Sequence, residues 1–406
     1  MSSAPTTVIV GTGQAGGWAA VTLRAEGFTG RIVVVGEESH PPYERPPLSK
    51  GVLSKDEAPE TCHLRPADSY GEQSIELRLG VRATGLDRAA RRVALTDGET
   101  LDYDTLLLAT GSRVRRLPVP GADGPGVHYL RTIDDALAIR ARLTPQARLC
   151  VVGGGYIGLE VAASARQRGC AVTILEMEDV VMKRVVPAEV GRFYDGVHRE
   201  HGVDIRLGQT VTRIEDDGAA QRVVCADGTE VAADIVVVGV GIIPNAELAD
   251  AAGLDVDNGI LVDELGRTSD PHVFAAGDVT NHVNPVLGRR VRLESWQNAQ
   301  NQAIAVARAM CGGQTPYGEV PWFWSDQYDL NLQMVGLADR WDQVVVRGDM
   351  DSRRFVVVCL ADGRVVTGNG VNSARDVRYV RRMIEKNSAV DPAALADPEV
   401  PLKSLV

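Results

Sequence analysis

Gly11-Thr12-Gly13-Gln14-Ala15-Gly16 and Gly153-Gly154-Gly155-Tyr156-Ile157-Gly158 share one spacing, with glycine at the first, third and sixth positions. That spacing suits the pyrophosphate of a dinucleotide. The first glycine permits a tight turn, the second lets the backbone approach the phosphates, and the third lets a helix pack on its strand. Free N–H groups at the helix N-terminus then face the anion. An acidic residue should close the following strand and bind a ribose hydroxyl; Glu37 and Glu176 stand at those places. A carboxylate favours a free 2′-hydroxyl and repels a 2′-phosphate, so Glu176 points to NADH over NADPH. Lys183 and Arg184 follow closely, either to reach a phosphate or as a solvated basic turn. Two dinucleotide sites in one chain imply a flavin, FAD, beside a pyridine nucleotide. Val273-Phe274-Ala275-Ala276-Gly277-Asp278 adds a carboxylate at a strand's C-terminal edge, where open α/β sheets bind ligands. Asp278 there either bonds a ribityl hydroxyl or ends the strand in an ordinary turn.

Such residues need β-α-β units to hold them. Thr7 to Val10 reads as a strand, an alanine-rich helix runs to about Arg24, and Arg31 to Val35 is the next strand. The plan returns with a strand at Leu149 to Val152, a helix at Tyr156 to Arg168 and a strand at Ala171 to Leu175. Thr105 to Gly111 is a buried-looking strand ending in a turn, and Arg113 to Gly126 is a Pro- and Gly-rich linker. Ala233 to Gly239 closes the second unit as a parallel strand, and Ile243 to Asn245 returns the chain. Beyond Pro321, strand-like runs at 344–346 and 355–358 suggest an antiparallel sheet with a terminal helix at Ser373 to Lys386. The expected fold is α/β, with two Rossmann-like dinucleotide-binding domains and a C-terminal α+β domain. The boundaries are 1–114 with 243–321 for FAD, 115–242 for NAD, and 322–406 for a C-terminal interface domain.

A chain of 406 residues, 44% hydrophobic, has enough apolar mass for two or three domains. A net charge of −11 argues against general nucleic-acid binding. The N-terminus lacks a charged segment followed by a long apolar one, and no run of roughly 18 apolar residues predicts a membrane helix. The expectation is a cytoplasmic protein with no membrane partner. The six cysteines are scattered without a C-x-x-C and read as buried free thiols. His198 and His201 share a helix face, but no further close Cys or His completes a metal set.

Gly11–Gly16, Arg45-Pro46-Pro47-Leu48-Ser49-Lys50, Ala109-Thr110-Gly111, Gly153–Glu160 and Gly277-Asp278 together resemble the two-dinucleotide flavoproteins of glutathione-reductase fold. Pro321-Trp322-Phe323-Trp324-Ser325-Asp326-Gln327 narrows the resemblance to the ferredoxin reductases of bacterial oxygenase systems, the family of putidaredoxin reductase and biphenyl dioxygenase ferredoxin reductase. The resemblance runs over essentially the whole chain. It implies an ion pair of Lys50 with Glu160 beside the flavin N5. It implies an FAD lining of Gly11, Gly13, Ala15, Gly16, Glu37, Arg45, Lys50, Ala83, Thr110, Gly111, Arg131, Asp278 and Trp296, with Trp324 over one end of the isoalloxazine. NAD would take Gly153, Gly155, Tyr156, Ile157, Gly158, Glu176, Arg184 and Gly241, and Glu294 would border the nicotinamide pocket. The chain departs from the disulfide, peroxide and coenzyme A disulfide reductases, because Tyr43 to Lys50 holds no cysteine.

A ferredoxin–NAD(+) reductase takes two electrons as hydride and passes them on singly, which the flavin supplies. Lys50 would stabilise developing negative charge electrostatically. The partner implied is an acidic 2Fe–2S ferredoxin, which in turn feeds a haem-thiolate monooxygenase or a Rieske dioxygenase. Arg375, Arg378, Arg382 and Lys386 fall on one helix face, either to dock it or as a solvated face. Arg65, Arg289, Arg290 and Lys403 are further candidates. The alternatives are a rubredoxin reductase, which differs only in partner, and a flavin-based NADH redox sensor or interaction protein. A monomer is preferred.

Overall fold

The computed structural model describes residues 4–218 and 220–406. The chain forms two compact units: Met1–Glu44, Glu60–Arg113 and Ile243–Pro321 make the first, and Arg45–Pro59, Val114–Ile242 and Trp322–Val406 the second.

The first unit is built on a parallel sheet in the order Val273–Ala275, Thr105–Leu108, Thr6–Val10, Arg31–Gly36, Ile75–Leu79. Apart from the edge strand Ile75–Leu79, which carries Glu76 and Arg78, its strands are largely apolar runs because both faces are buried. Ile9, Ile32, Val34 and Leu107 point into one core with Ala19, Ala20, Ala303 and Ala307. Val8, Val10, Val33, Val35, Leu106 and Leu108 point into the other. Small side chains let the helix Gln14–Ala25 pack against the helix Trp296–Met310. Chain order reverses beside Thr6–Val10, so the glycine turn that follows this strand lies at the topological switch point.

The second unit repeats the plan with Asp204–Arg206, Ala171–Leu175, Arg148–Val152, Ile235–Val238 and Val127–Tyr129, all paired in parallel. The single strand expected over 233–239 is two. Glu230–Ala233 belongs to a three-stranded antiparallel sheet, and Ile235–Val238 to the parallel one. Asp234 turns the chain between them; its carboxylate accepts from the Arg148 backbone N–H and from the Arg148 guanidinium, each at 2.7 Å.

Residues 322–406 supply five antiparallel strands in the order Trp322–Gln327, Leu330–Gly336, Arg364–Val371, Arg354–Ala361, Gln343–Asp349. The helix Ala374–Glu385 lies on this sheet through buried Val377, Val380 and Met383. Gly368 and Gly370 admit it: a Cβ there would stand 2.5 Å from Val380 Cγ1 and 2.4 Å from Val377 Cγ2. Arg375, Arg378, Arg382 and Lys386 are all exposed.

Residues 45–59, which the sequence placed within the stretch 1–114, cluster with the second unit. The short helix Gly51–Ser54 packs on the helix Tyr156–Gln167, and Ser164 Oγ donates to the Ser49 carbonyl at 2.7 Å. Arg168 donates to the Leu53 carbonyl at 3.1 Å and to Asp56 at 2.8 Å. Five of the cysteines are buried, but Cys311, expected inside, is exposed just past the end of the helix Trp296–Met310. Among the described residues no helix is long and apolar enough to cross a membrane.

Candidate functional site

Each glycine turn divides its labour as steric reasoning requires. Gly11 has φ +124°, and a Cβ on it would stand 2.1 Å from the Ala109 carbonyl oxygen. A Cβ on Gly16 would stand 1.9 Å from the Gly11 oxygen. These two glycines are demanded by the fold itself. Gly13 is different. Its φ of −76° suits any residue, and a Cβ there would meet nothing within 4 Å. The second turn repeats this: Gly153 (φ +104°) and Gly158 are hemmed in by backbone oxygens at 2.5 and 2.1 Å, while Gly155 faces open space.

The helices that begin here, Gln14–Ala25 and Tyr156–Gln167, have neither a side-chain N-cap nor an acidic residue in the first turn. Their first N–H groups are therefore left for an external acceptor. Open space at the middle glycine and uncapped donors behind it fit the anionic link of a dinucleotide, in both units.

Around the first turn, Ala15 is buried and packs close to Gly277, whose added Cβ would lie 3.0 Å from the Ala15 Cβ. Glu37 is exposed just past the strand Arg31–Gly36, whereas the adjacent Glu38 accepts from the Tyr43 hydroxyl. Thr110 and Asn245 bond reciprocally at 2.7 and 3.0 Å, and Gly111 turns the chain at φ +62°. Asp278 accepts from Ser112 Oγ at 3.1 Å. The Gly277 N–H donates to Gln302 Oε1 at 2.8 Å, which also receives Thr280 Oγ1 at 2.9 Å. Trp296 opens its helix, and its carbonyl accepts from Gln14 Nε2 at 3.0 Å. Ala83 begins a strand paired with Leu95. Glu294 is exposed and paired with Arg292. Gln14, Ser112 and Gln302 were not singled out from sequence; lone polar residues in helices and turns carry no spacing signal.

In the second unit Glu176 Oε2 accepts from the Gly154 N–H at 2.6 Å, and Oε1 from the Glu178 N–H at 2.9 Å. The carboxylate thus shapes the glycine turn as well as ending its strand. Lys183 is tied to Glu178 at 2.9 Å and Asp179 at 3.0 Å, which raises its pKa; Arg184 is exposed. Tyr156 is held by its hydroxyl on Met334 Sδ and its ring against Phe323, and burial pushes its pKa up. Ile157 is exposed, and Gly241 (φ +107°) faces open space. The Arg45 guanidinium donates to the Arg131 carbonyl.

Lys50 and Glu160 meet in this unit at 2.8 Å. Glu160 is only 2% exposed, so its charge requires compensation. Lys50 and Ser49 supply it at Oε2, and Ser325 Oγ donates to Oε1 at 2.6 Å. Lys50 also donates to the Pro46 carbonyl at 3.3 Å and stands 5.8 Å over the Trp324 ring. That ring stacks on Trp322 at 5.1 Å, and its Nε1 donates to Asp326 at 3.0 Å. Alternation in the strand Trp322–Gln327 turns Ser325 inward. No local pattern in the sequence marks Ser49 or Ser325 for this role.

The matching families cover both stretches. Residues 5–303 match the pyridine nucleotide-disulphide oxidoreductase family, and residues 322–406 match the reductase C-terminal family. The chain belongs to the pyridine nucleotide-disulphide oxidoreductases. It is an oxidoreductase whose cofactors are FAD and NADH. It is 47% identical to the ferredoxin–NAD(+) reductase component of the anthranilate 1,2-dioxygenase system of Burkholderia cepacia, over 100% of both chains. It is 44% identical to putidaredoxin reductase of Pseudomonas putida, over 100% of this chain and 98% of that protein. A crystal structure of the covalent putidaredoxin reductase–putidaredoxin complex superposes with a TM-score of 0.95 at 43% identity, covering 100% of this chain and 98% of that one.

Proposed function

We propose that the chain draws electrons from NADH and delivers them, through FAD, to a 2Fe–2S ferredoxin that serves an oxygenase. The observation that carries this reading is the pair of glycine turns, each open at its middle glycine and backed by an uncapped helix. The ferredoxin reductases of oxygenase systems among its relatives support the choice of acceptor.

FAD is assigned to residues 1–114 with 243–321, and NADH to 115–242. When bound, FAD supplies the conversion of one hydride into two single-electron transfers. The backbone at Gly11, Gly13 and Gly16 receives its pyrophosphate, Glu37 its ribose, and Asp278, oriented by Ser112, its ribityl chain. Ala15, Arg45, Ala83, Thr110, Gly111, Arg131 and Trp296 complete the FAD lining, with Trp324 over one end of the isoalloxazine. Gly153, Gly155 and Gly158 receive NADH, with Glu176 on the ribose and Tyr156, Ile157, Arg184 and Gly241 around it. Lys50 places a fixed cation where negative charge develops, and Glu160 holds that cation in place.

The ferredoxin is acidic and docks on the exposed face of Arg375, Arg378, Arg382 and Lys386 in the interface domain 322–406. The protein works as a cytoplasmic monomer. The test is NADH-driven cytochrome c reduction with and without a 2Fe–2S ferredoxin from an oxygenase system. Strong dependence on the ferredoxin is expected. Rapid reduction of the bound flavin by NADH with no ferredoxin effect, across several ferredoxins, would move the reading to rubredoxin or a small-molecule acceptor.

A further inference from the structure

Behind Glu160 lies a run of buried polar side chains that the proposed reaction does not use. Ser325 Oγ is 2.6 Å from Glu160 Oε1, and Gln327 Nε2 is 3.1 Å from Ser325 Oγ. Gln327 Oε1 is 2.8 Å from His198 Nε2, and the Tyr328 hydroxyl is 3.2 Å from His198 Nδ1. Ser325, Gln327 and His198 are fully buried.

The chemistry of these groups fixes the direction of every hydrogen bond. Glu160, ionised against Lys50, only accepts, so the single Ser325 proton goes to it. Ser325 Oγ then accepts from Gln327, which sets the amide with nitrogen towards Ser325 and oxygen towards His198. That oxygen accepts, so His198 Nε2 carries a proton. Burial lowers the His198 pKa to about 4, so the ring is neutral and Nδ1 is bare. Nδ1 in turn accepts from the Tyr328 hydroxyl. All four donors point towards Glu160, an arrangement in which each bond polarises the next.

The far end is held under strain. Gln327 pairs with Leu330, leaving Tyr328 and Asp329 as the hairpin loop, and Tyr328 sits at φ +56°. A bulky residue there is uncommon, and such strain persists only where the surroundings impose it. The Tyr328 ring stacks on His201 with centroids 3.7 Å apart and planes 11° apart.

We infer that Ser325, Gln327 and His198 are positioning residues for the Lys50–Glu160 pair, forming a one-way hydrogen-bond chain that fixes the Glu160 carboxylate and through it the Lys50 ammonium. The inference rests on the reading of Lys50 as the cation that serves the flavin. It gives the histidine a task other than metal binding: it is the buried, neutral donor that orders the chain.

Two measurements test it. The first is a long-range proton–nitrogen correlation spectrum of the holoenzyme with nitrogen-15 histidines at neutral pH, with His198→Gln assigning the signal. The Nε2–H tautomer is expected; an Nδ1–H tautomer or an imidazolium overturns the chain. The second is the midpoint potential of the bound flavin in Lys50→Gln, Ser325→Ala, Ser325→Thr, His198→Leu and His198→Gln. Lys50→Gln should move it to more negative values. Ser325→Ala and His198→Leu should move it the same way by less, with flavin reduction at saturating NADH slowed about tenfold and half-saturation unchanged. Ser325→Thr and His198→Gln keep a donor in place and should restore both. A shift in Lys50→Gln with none in Ser325→Ala or His198→Leu overturns the chain and leaves the role of Lys50 standing. No shift in Lys50→Gln sinks that role and the positioning role with it. If His198→Leu does not fold, the wild-type spectrum and the serine pair still decide.

Discussion

The Lys50 ammonium lies 2.8 Å from the Glu160 carboxylate, across 110 residues of sequence. Lys50 ends the proline-rich turn and Glu160 sits in the helix that the second glycine turn begins. The two halves of the pair therefore come from different motifs.

Lys50→Met leaves the Glu160 carboxylate buried beside an apolar chain. Breaking such a pair costs about 3–5 kcal/mol when the remaining charge stays buried. Glu160→Gln removes that charge and should be milder. The expected order of melting temperature is wild type, then Glu160→Gln, then Lys50→Met, with flavin reduction by NADH slowed in both. Thermal melts and stopped-flow traces check it, and a Lys50→Met protein as stable as wild type would contradict the geometry.

Gly13→Ala and Gly155→Ala should fold, because their φ angles suit alanine and the new methyl meets no protein atom. The methyl stands where a pyrophosphate would approach. Gly13→Ala should therefore emerge with low flavin content. Gly155→Ala should keep its flavin but show a KM for NADH raised about tenfold or more, some 1.4 kcal/mol. Gly16→Ala, driven into the Gly11 carbonyl, should yield little soluble protein.

Glu176 orders the second glycine turn, and on the proposed reading its carboxylate would oppose a 2′-phosphate. Glu176→Ala should narrow the ratio of NADH to NADPH kcat/KM by about tenfold or more, the scale of a charge-assisted hydrogen bond. Lys183 is engaged by Glu178 and Asp179, so Lys183→Ala should change the ratio little. Steady-state kinetics with both nucleotides separate the two.

Charge reversal at Arg378 and Arg382 should raise the ferredoxin KM and weaken its dependence on salt, with NADH–dye turnover unchanged. Both side chains are exposed, so stability should hold. Equal loss of both activities would refute docking on this face.

Gly368→Ala tests the seat of the terminal helix. The added methyl would press on Val380 Cγ1 at 2.5 Å. Overpacking of this kind costs about 1–3 kcal/mol, visible as a lower melting temperature.

Local pattern made much of this protein legible. The glycine spacing, the strands that flank it and the closing acids Glu37 and Glu176 are short-range signals, and each acid stands directly after its strand. The cationic face of the helix Ala374–Glu385 was readable because spacing fixes which side chains share a side. Other features depend on contacts that no local rule contains. Asp234 breaks an apolar run that reads as one strand, because Arg148 captures its carboxylate from a neighbouring strand. Residues 45–59 cluster with the second unit because Ser164 of the helix Tyr156–Gln167 and Arg168 at its C-terminal end bond to them. Ser49 and Ser325 were invisible as partners of Glu160, since a serine's role is set by what lies within one hydrogen bond of it. The two open glycine turns were legible from spacing alone, since backbone sterics act over a few residues. Which groups answer the buried Glu160 charge was not legible there, since a carboxylate taken out of water is compensated by whatever the fold brings to it.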